Sequence, residues 1–309
     1  MHGKTDHSVL KVLTYFDLFD YPLSKEEISF YLDHPLSDTQ LSVVLQQLSD
    51  EGQIFLHQGF YSLQDKPALT ARRKDGNNRA QTLLETGYRV AAFLYRFPYV
   101  RGVCISGSLS KNFADEKADI DFFIITHTNR LWIARTLMHL FKKLTFLVGR
   151  QHWYCMNYYI DEAALQIEER NVFTATEMIT LLPVCGNGAL DNFFEANSWT
   201  KLFYPKYTGR QAILPGNHHR YRTKRWVEWL FNNSMGDRLD NYLMKITAGR
   251  WKKKEAEKRL NMRGGRMGLK TGKHFCKPNP VFFQHQILER YRQRLAQVEA
   301  SMRFCKEMI

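Results

Sequence analysis

Apolar residues recur every three to four positions at the start of the chain, a spacing that predicts helices. One helix is predicted over residues 8–19, and a second begins after Ser24, where Glu27 completes a capping box. A third helix is predicted over residues 38–51. Residues 54–63 then predict a β-hairpin. The start of the chain is therefore expected to form a small unit of three helices and a hairpin.

Three helices followed by a hairpin resemble a winged helix-turn-helix, whose third helix usually enters the major groove of DNA. Here the third helix contains no Lys or Arg. Gln40, Gln46 and Gln47 could hydrogen-bond to bases, but cationic side chains that bind phosphates are missing. Two uses of this unit stay open, namely reading DNA and making protein contacts.

The middle of the chain predicts strands that alternate with helices. A helical connector over residues 66–97 leads to apolar runs before Gly107 and after Asp119, and a further strand is expected over residues 153–160. A helix over residues 132–148 separates the last two of these strands. Strands and helices in this order predict a small mixed sheet with helices packed against it.

The last third of the chain predicts long helices. Trp226, Trp229 and Leu230 begin an apolar stripe that continues to Ile246, which we expect to be core. A flexible basic loop is predicted from Gly264 to residue 280, followed by one amphipathic helix. The predicted fold class is α+β, with a winged-helix domain (1–65), a helical connector (66–98), a mixed-sheet domain (99–205) and a basic helical region (206–309).

Charge is concentrated at one end of the chain, although the net charge is +13 overall. Residues 201–309 hold 25 of the 44 Lys and Arg residues but 8 of the 31 acidic ones. Such an excess favours a phosphate-rich partner. The five cysteines are scattered without a Cys-x-x-Cys pair, so neither a disulfide framework nor a zinc site is indicated. With no predicted signal peptide or membrane span, we expect a cytoplasmic protein that does not contact a membrane.

The segment from Cys104 to Thr126 carries the candidate chemistry. Gly107 and Ser108 close one apolar run, and Asp119 and Asp121 open the next. Residues two apart on a strand share a face, so the two carboxylates would lie about 6–7 Å apart. That arrangement is costly unless a cation lies between them. A glycine-serine turn followed by a helix would supply free N–H groups for an anion.

These residues resemble the DNA polymerase beta-like nucleotidyltransferase superfamily. The resemblance implies that Asp119 and Asp121 bind Mg²⁺, with Mn²⁺ as the alternative, and that Gly107 and Ser108 bind the triphosphate of an NTP. Lys111, one turn into the expected helix, would neutralise its phosphates. The implied activity is transfer of a nucleoside monophosphate to a hydroxyl or phosphate acceptor, with Asp119 and Asp121 as the catalytic residues.

The family commonly has a third carboxylate on a neighbouring strand, and three residues of this chain are candidates for that position. Asn157 stands where alternation puts that residue, but an amide cannot act as a general base. Asp161 and Glu168 are the other candidates. A non-catalytic regulator that senses a nucleotide and binds DNA is therefore the alternative function, and a scaffold that keeps only the fold is the third.

A nucleic-acid acceptor would bind RNA or DNA through the basic region. The residues proposed for that contact are Lys252, Lys253, Lys254, Lys258, Arg259, Arg263 and Arg266. The base of the NTP, the acceptor and the oligomeric state are not determined by the sequence.

Overall fold

The computed structural model describes residues 2–149, 151–214, 221–260, 268–278 and 283–307. The described chain is a mixture of helices and strands with one mixed six-stranded sheet, so the α+β class is confirmed. None of the described helices is long and apolar enough to cross a lipid bilayer.

The first unit contains the predicted three helices and hairpin. They are α1 (His2–Asp17), α2 (Lys25–Tyr31), α3 (Asp38–Asp50), β1 (Phe55–His57) and β2 (Phe60–Ser62). Capping boxes begin α2 at Ser24 and α3 at Ser37, because each serine accepts from a backbone N–H of the first turn. The apolar faces of these helices close a core that also takes in Phe113, from far along the chain.

A single helix, α4 (Pro67–Leu94), connects this unit to the sheet. It buries Arg73, whose guanidinium forms a bidentate ion pair with Glu27 at 2.7 and 2.8 Å. Gly76 of α4 lies directly against the ring of Phe113. The connector is thus packed on both sides and is not a solvated spacer.

The six-stranded sheet has the order β6-β3-β4-β5-β8-β7. Its strands are β3 (Val100–Ser106), β4 (Asp121–Thr126), β5 (Cys155–Asp161), β6 (Leu182–Cys185), β7 (Leu269–Thr271) and β8 (Phe275–Pro278). Strands β4 and β5 pair in parallel, and the other neighbours pair antiparallel. The parallel pair is joined by α5 (Leu131–Thr145), as the spacing of the sequence predicts.

Both faces of the sheet are covered. Alternate residues of β3 and β4 pack on α4 and α5 on one face and, on the other, on α6 (Val172–Thr180) and α7 (Asn187–Ala196). Phe122 and Ile124 belong to the first layer, whereas Phe123 and Ile125 belong to the second. Asp121 therefore lies on the face that carries α6.

The C-terminal region departs from its prediction in two places. Residues 269–278, predicted as flexible loop, form β7 and β8 and extend the sheet, because Cys276 is apolar enough to join the core beside β5. Trp226 and Trp229, predicted as core, are 63% and 76% exposed. The helix that holds them, α8 (Arg222–Phe231), instead buries Lys224, whose Nζ donates to two backbone carbonyls at 2.8 and 2.6 Å.

Two further helices complete the fold, α9 (Ser234–Ala256) and α10 (Phe283–Glu307). The first packs against α5, where Asp240 accepts from the backbone N–H of Ile133. The second returns to α1, where Tyr291 contacts Tyr15 and Arg294 pairs with Asp17 at 3.0 Å. Helix α10 therefore packs on the surface of the first unit.

Replacing Gly76 with alanine tests the packing between α4 and Phe113. A Cβ at Gly76 would lie 2.2 Å from Cε2 of Phe113, so the ring must move. We expect Gly76→Ala to lower the free energy of unfolding by about 1–3 kcal/mol, measured by urea denaturation. Gly249→Ala is the matched control, since Gly249 also lies inside a helix but has no atom within 4 Å of its Cβ position. It should raise stability by up to about 1 kcal/mol, and an equal gain at Gly76 would contradict the packing described.

Candidate functional site

Strands β3 and β4 bring the glycine-serine turn to the side of Asp121. Ser106 pairs with Asp121 in the antiparallel register, so Gly107 begins its turn beside that carboxylate. Gly107 has a φ of +71°, in the left-handed region. A Cβ there would lie 2.5 Å from Oδ2 of Asp121. Both the backbone conformation and the close approach therefore favour glycine at this position.

The helix expected after Ser108 is only a single 3-10 turn over Leu109–Lys111, so the expectation of a full helix is wrong. The turn ends because Asn112 adopts a left-handed conformation with φ +56°. Within the turn, Ser110 Oγ donates to the carbonyl of Gly107 at 2.8 Å and Lys111 Nζ donates to the same oxygen at 3.1 Å. These two bonds, rather than a helix, shape the segment that follows Gly107.

Asp119 lies outside the strand, because β4 begins at Asp121, so the expectation that the two aspartates share one strand face is wrong. Its Oδ1 lies 2.8 Å from Nδ1 of His152, and Ile120 is held by backbone bonds to His152 and Cys155 on either side. Asp119 and Asp121 are thus at the same edge of the sheet. Asp121 borders the cavities described below, whereas Asp119 is not among their lining residues.

Asn157 is brought to Asp121, but as a hydrogen-bond donor. The β4–β5 register shifts here, so that Phe122 pairs with Met156 and Phe123 with Tyr158, which leaves Asn157 as the extra residue. Its Nδ2 donates to Oδ1 of Asp121 at 2.5 Å, and its Oδ1 accepts from Sγ of Cys155 at 3.2 Å. Asn157 therefore positions the carboxylate of Asp121.

The thiol of Cys155 supports this arrangement. Burial, together with the negative charge of Asp121, raises the pKa of Cys155 to about 12. The thiol is therefore protonated at neutral pH and stays a donor to Asn157. A chain of hydrogen bonds therefore runs from Cys155 through Asn157 to Asp121.

Neither Asp161 nor Glu168 completes the site. Asp161 pairs with Thr126 at the other end of β4, about 17 Å along the strand from Asp121. It is fully buried and accepts from the backbone N–H groups of Asn129 and Ala163 and from His274. Glu168 is exposed and borders neither cavity. Asp161 is the last residue of β5, at the opposite end of that strand from Cys155, and Glu168 follows β5 in the chain.

Glu177 is a carboxylate at the site that the sequence reasoning missed. It projects from α6, forms an ion pair with Lys111 at 2.8 Å and borders both cavities together with Asp121. Lys111 is therefore held between Gly107 and Glu177 and does not lie on an exposed helix face. A signal was present, since Glu177 is the one charged residue in the sequence of α6.

Two cavities meet at Asp121. The larger, of about 560 Å³, lies on the side of Ser108 and Lys111, and the smaller, of about 230 Å³, on the side of Asn157 and Lys277. The residues common to both are Gly107, Asp121, Phe173 and Glu177. The carboxylate of Asp121 is thus accessible from two spaces that could hold two reactants.

The donor set of this edge fits a hard divalent cation that shares its ligands with phosphates. Mg²⁺ is usually bound by one or two carboxylates together with water and substrate oxygens, and Mn²⁺ accepts the same ligands. Asp121 can supply one such carboxylate, and Asp119, which contacts His152, is a second carboxylate near the start of β4. The part of the chain that the structure describes holds no group of three His, Cys, Asp or Glu side chains suited to a metal. A site of this kind would therefore rely on the substrate for its remaining ligands.

The proposed nucleic-acid contacts lie on the last turns of α9 and beyond it. Lys252, Lys253, Lys258 and Arg259 are exposed, and Lys254 Nζ lies 4.9 Å from the ring centre of Trp251. Arg263 and Arg266 lie outside the described residues.

A carboxylate in place of Asn157 tests the geometry around Asp121. Asn157→Asp removes the donor and sets two negative charges side by side, so it should lower the melting temperature in EDTA by roughly 2–8 °C. Excess Mg²⁺ should restore most of this loss by binding between the charges. Asn232→Asp, at an exposed asparagine, is the control for added charge and should change the melting temperature little in either buffer. Equal behaviour of the two variants would contradict the contact.

Comparison with protein-family models, curated proteins and solved structures finds no match for this chain. Its function is therefore inferred from its own residues and their geometry.

Proposed function

We propose that this protein is a Mg²⁺-dependent nucleotidyltransferase of the DNA polymerase beta-like superfamily, which transfers a nucleoside monophosphate from an NTP to a hydroxyl or phosphate acceptor. The observation that carries the proposal is the carboxylate of Asp121, which is set against the left-handed turn at Gly107 with a cavity on either side. In this proposal residues 99–205 are the catalytic domain, residues 1–65 a winged helix and residues 206–309 a basic accessory region, in a cytoplasmic protein.

The roles of the residues follow from their places at the sheet edge. Asp119 and Asp121 would hold the cation, which neutralises charge on the triphosphate and polarises its α-phosphorus when bound. Ser108 and Lys111 face the larger cavity and would bind the phosphates. Asn157 holds Asp121 in place from the other side.

Glu177 is our candidate for the group that accepts the proton of the acceptor. It borders both cavities, and a carboxylate can serve as a general base where the amide of Asn157 cannot. Its ion pair with Lys111 would open as the phosphates attract that lysine, which would leave the carboxylate available when substrate is bound.

Removing either carboxylate of the pair tests the proposed chemistry. Asp119→Asn and Asp121→Asn should each reduce Mg²⁺-dependent pyrophosphate release from an NTP by at least about 100-fold while the protein remains folded. Asp191→Asn, at an exposed aspartate on α7, should have no effect. Undiminished release in either of the first two variants would remove these roles.

A non-catalytic nucleotide sensor is the second candidate, because Asn157 occupies the neighbourhood where the family commonly has an acid. It predicts Mg²⁺-dependent NTP binding without pyrophosphate release. The DNA-binding half of that alternative has less support. Gln46 and Gln47 hydrogen-bond to Asp50 and Glu51 of their own helix, and Gln40 caps α3, so none of the three glutamines is unengaged.

A polynucleotide is the acceptor class that the surface of the C-terminal region favours. Helix α8 buries its lysine and exposes two tryptophans, which share one helix face with the exposed Arg222. Exposed aromatic rings beside cations are typical of surfaces that stack the bases of single strands. Glu228 of the same helix pairs with Arg101 near the start of β3, about 20 Å along that strand from Gly107. The surface would thus anchor an acceptor at a distance from the reacting end.

Trp226→Ala and Trp229→Ala test this surface. Each should weaken binding of a fluorescein-labelled single-stranded oligonucleotide by about 5- to 150-fold, because base stacking on the ring is lost. Binding by the native protein should fall steeply as salt is added. Phe146→Ala, which removes another exposed aromatic ring, is the control and should bind normally. A flat salt response, or full binding by both tryptophan variants, would contradict a nucleic-acid partner.

A further inference from the structure

The larger cavity at Asp121 is walled by the N-terminal unit. Tyr15 and Phe16 of α1, and Phe19 and Tyr21 just beyond it, line the space together with Ser108. The remaining aromatic lining residues are Phe113, Phe173 and Phe283. The lining therefore combines the polar residues Ser108, Lys111 and Asp121 with seven aromatic rings, which we call the aromatic wall.

The N-terminal unit contacts the segment that carries Ser108 and Lys111. Tyr21 Oη donates to the carbonyl of Lys111 at 3.2 Å, and the rings of Tyr21 and Phe113 meet edge to face with centres 5.6 Å apart. Arg72 spans the rim of the cavity, because its guanidinium donates to the carbonyls of Phe19 and Asp20 and to Asp115. The N-terminal unit and the segment from Ser108 to Asp115 are thus joined by direct contacts around the cavity.

Part of the aromatic wall is open to solvent. Phe19 is 37% exposed and Phe283 is 43% exposed, although each lies in a folded segment of the chain. Phe283 meets Phe173, a residue common to both cavities, with ring centres 6.0 Å apart. Large rings that face a cavity beside phosphate-binding groups are suited to a flat apolar ligand, because burial of their faces is favourable.

We infer that this aromatic wall binds the nucleobase of the NTP whose phosphates are held by Ser108 and Lys111. The inference rests on the proposed function and assigns the N-terminal unit a direct part in substrate binding. A volume of about 560 Å³ lies within the range that small-molecule sites occupy. Stacking on rings is tolerant of base identity, so Phe19 and Phe283 would strengthen binding of all four nucleotides.

The test separates the base from the phosphates by calorimetry in Mg²⁺. The ligands are the four NTPs and inorganic tripolyphosphate, and the proteins are the native chain, Phe19→Ala, Phe283→Ala and Phe19→Tyr. We expect each alanine variant to bind its best NTP about tenfold more weakly than the native protein and to bind tripolyphosphate equally well. Phe19→Tyr should keep the native affinity, since it keeps the ring. Phe146→Ala, outside the cavity, should match the native protein for both ligands.

The outcomes distinguish this inference from the proposed function. Normal NTP affinity in both alanine variants overturns the inference and leaves the proposed function standing. Equal weakening of NTP and tripolyphosphate also overturns it, because the wall would then act only on the loop that holds the phosphates. If the native protein binds neither ligand, the proposed function fails and this inference fails with it.

Discussion

The close contact between Gly107 and the carboxylate of Asp121 is the constraint on which the rest of the site depends. The antiparallel register of β3 and β4 sets the turn beside the carboxylate, and a Cβ at Gly107 would lie 2.5 Å from Oδ2 of Asp121 and displace that side chain. Asn157 fixes the same carboxylate from the neighbouring strand. Because Asp121 is held from both sides, the edge of the sheet can present it to two cavities in one defined orientation.

The N-terminal unit is coupled to this edge through the loop that follows Ser108. Phe113 follows this turn in the chain, and its ring packs into the core of the three N-terminal helices. Gly76 of α4 lies against the same ring. Helix α10 closes the opposite side by packing on α1. A unit that resembles a DNA-binding module in sequence is therefore also a structural neighbour of the candidate active site.

The sequence predicted those elements whose signals are local. The capping box at Ser24 and the two apolar strands that end at the glycine-serine turn and begin near Asp121 were predicted from spacing alone, whereas the register that pairs Ser106 with Asp121 was not. Features that depend on tertiary contacts were missed. Trp226 and Trp229 have core-like spacing, yet contacts of Lys224 turn them outward. Strand β8 forms by pairing with the edge of β5. Glu177 lies at the site because α6 packs against the sheet there. The periodicity within those segments carries no information about such tertiary contacts.

The most direct measurement is calorimetry of Mg²⁺-dependent NTP binding to Gly107→Ala and Gly59→Ala. Both glycines have positive φ, but only Gly107 lies against a carboxylate, since no atom lies within 4 Å of the Cβ position of Gly59. The two substitutions therefore impose similar backbone strain, and they differ in whether the new Cβ displaces the carboxylate of Asp121. We predict that Gly59→Ala binds like the native protein and that Gly107→Ala loses binding by at least about tenfold. Equal binding by the two variants would contradict a nucleotide site built on this contact.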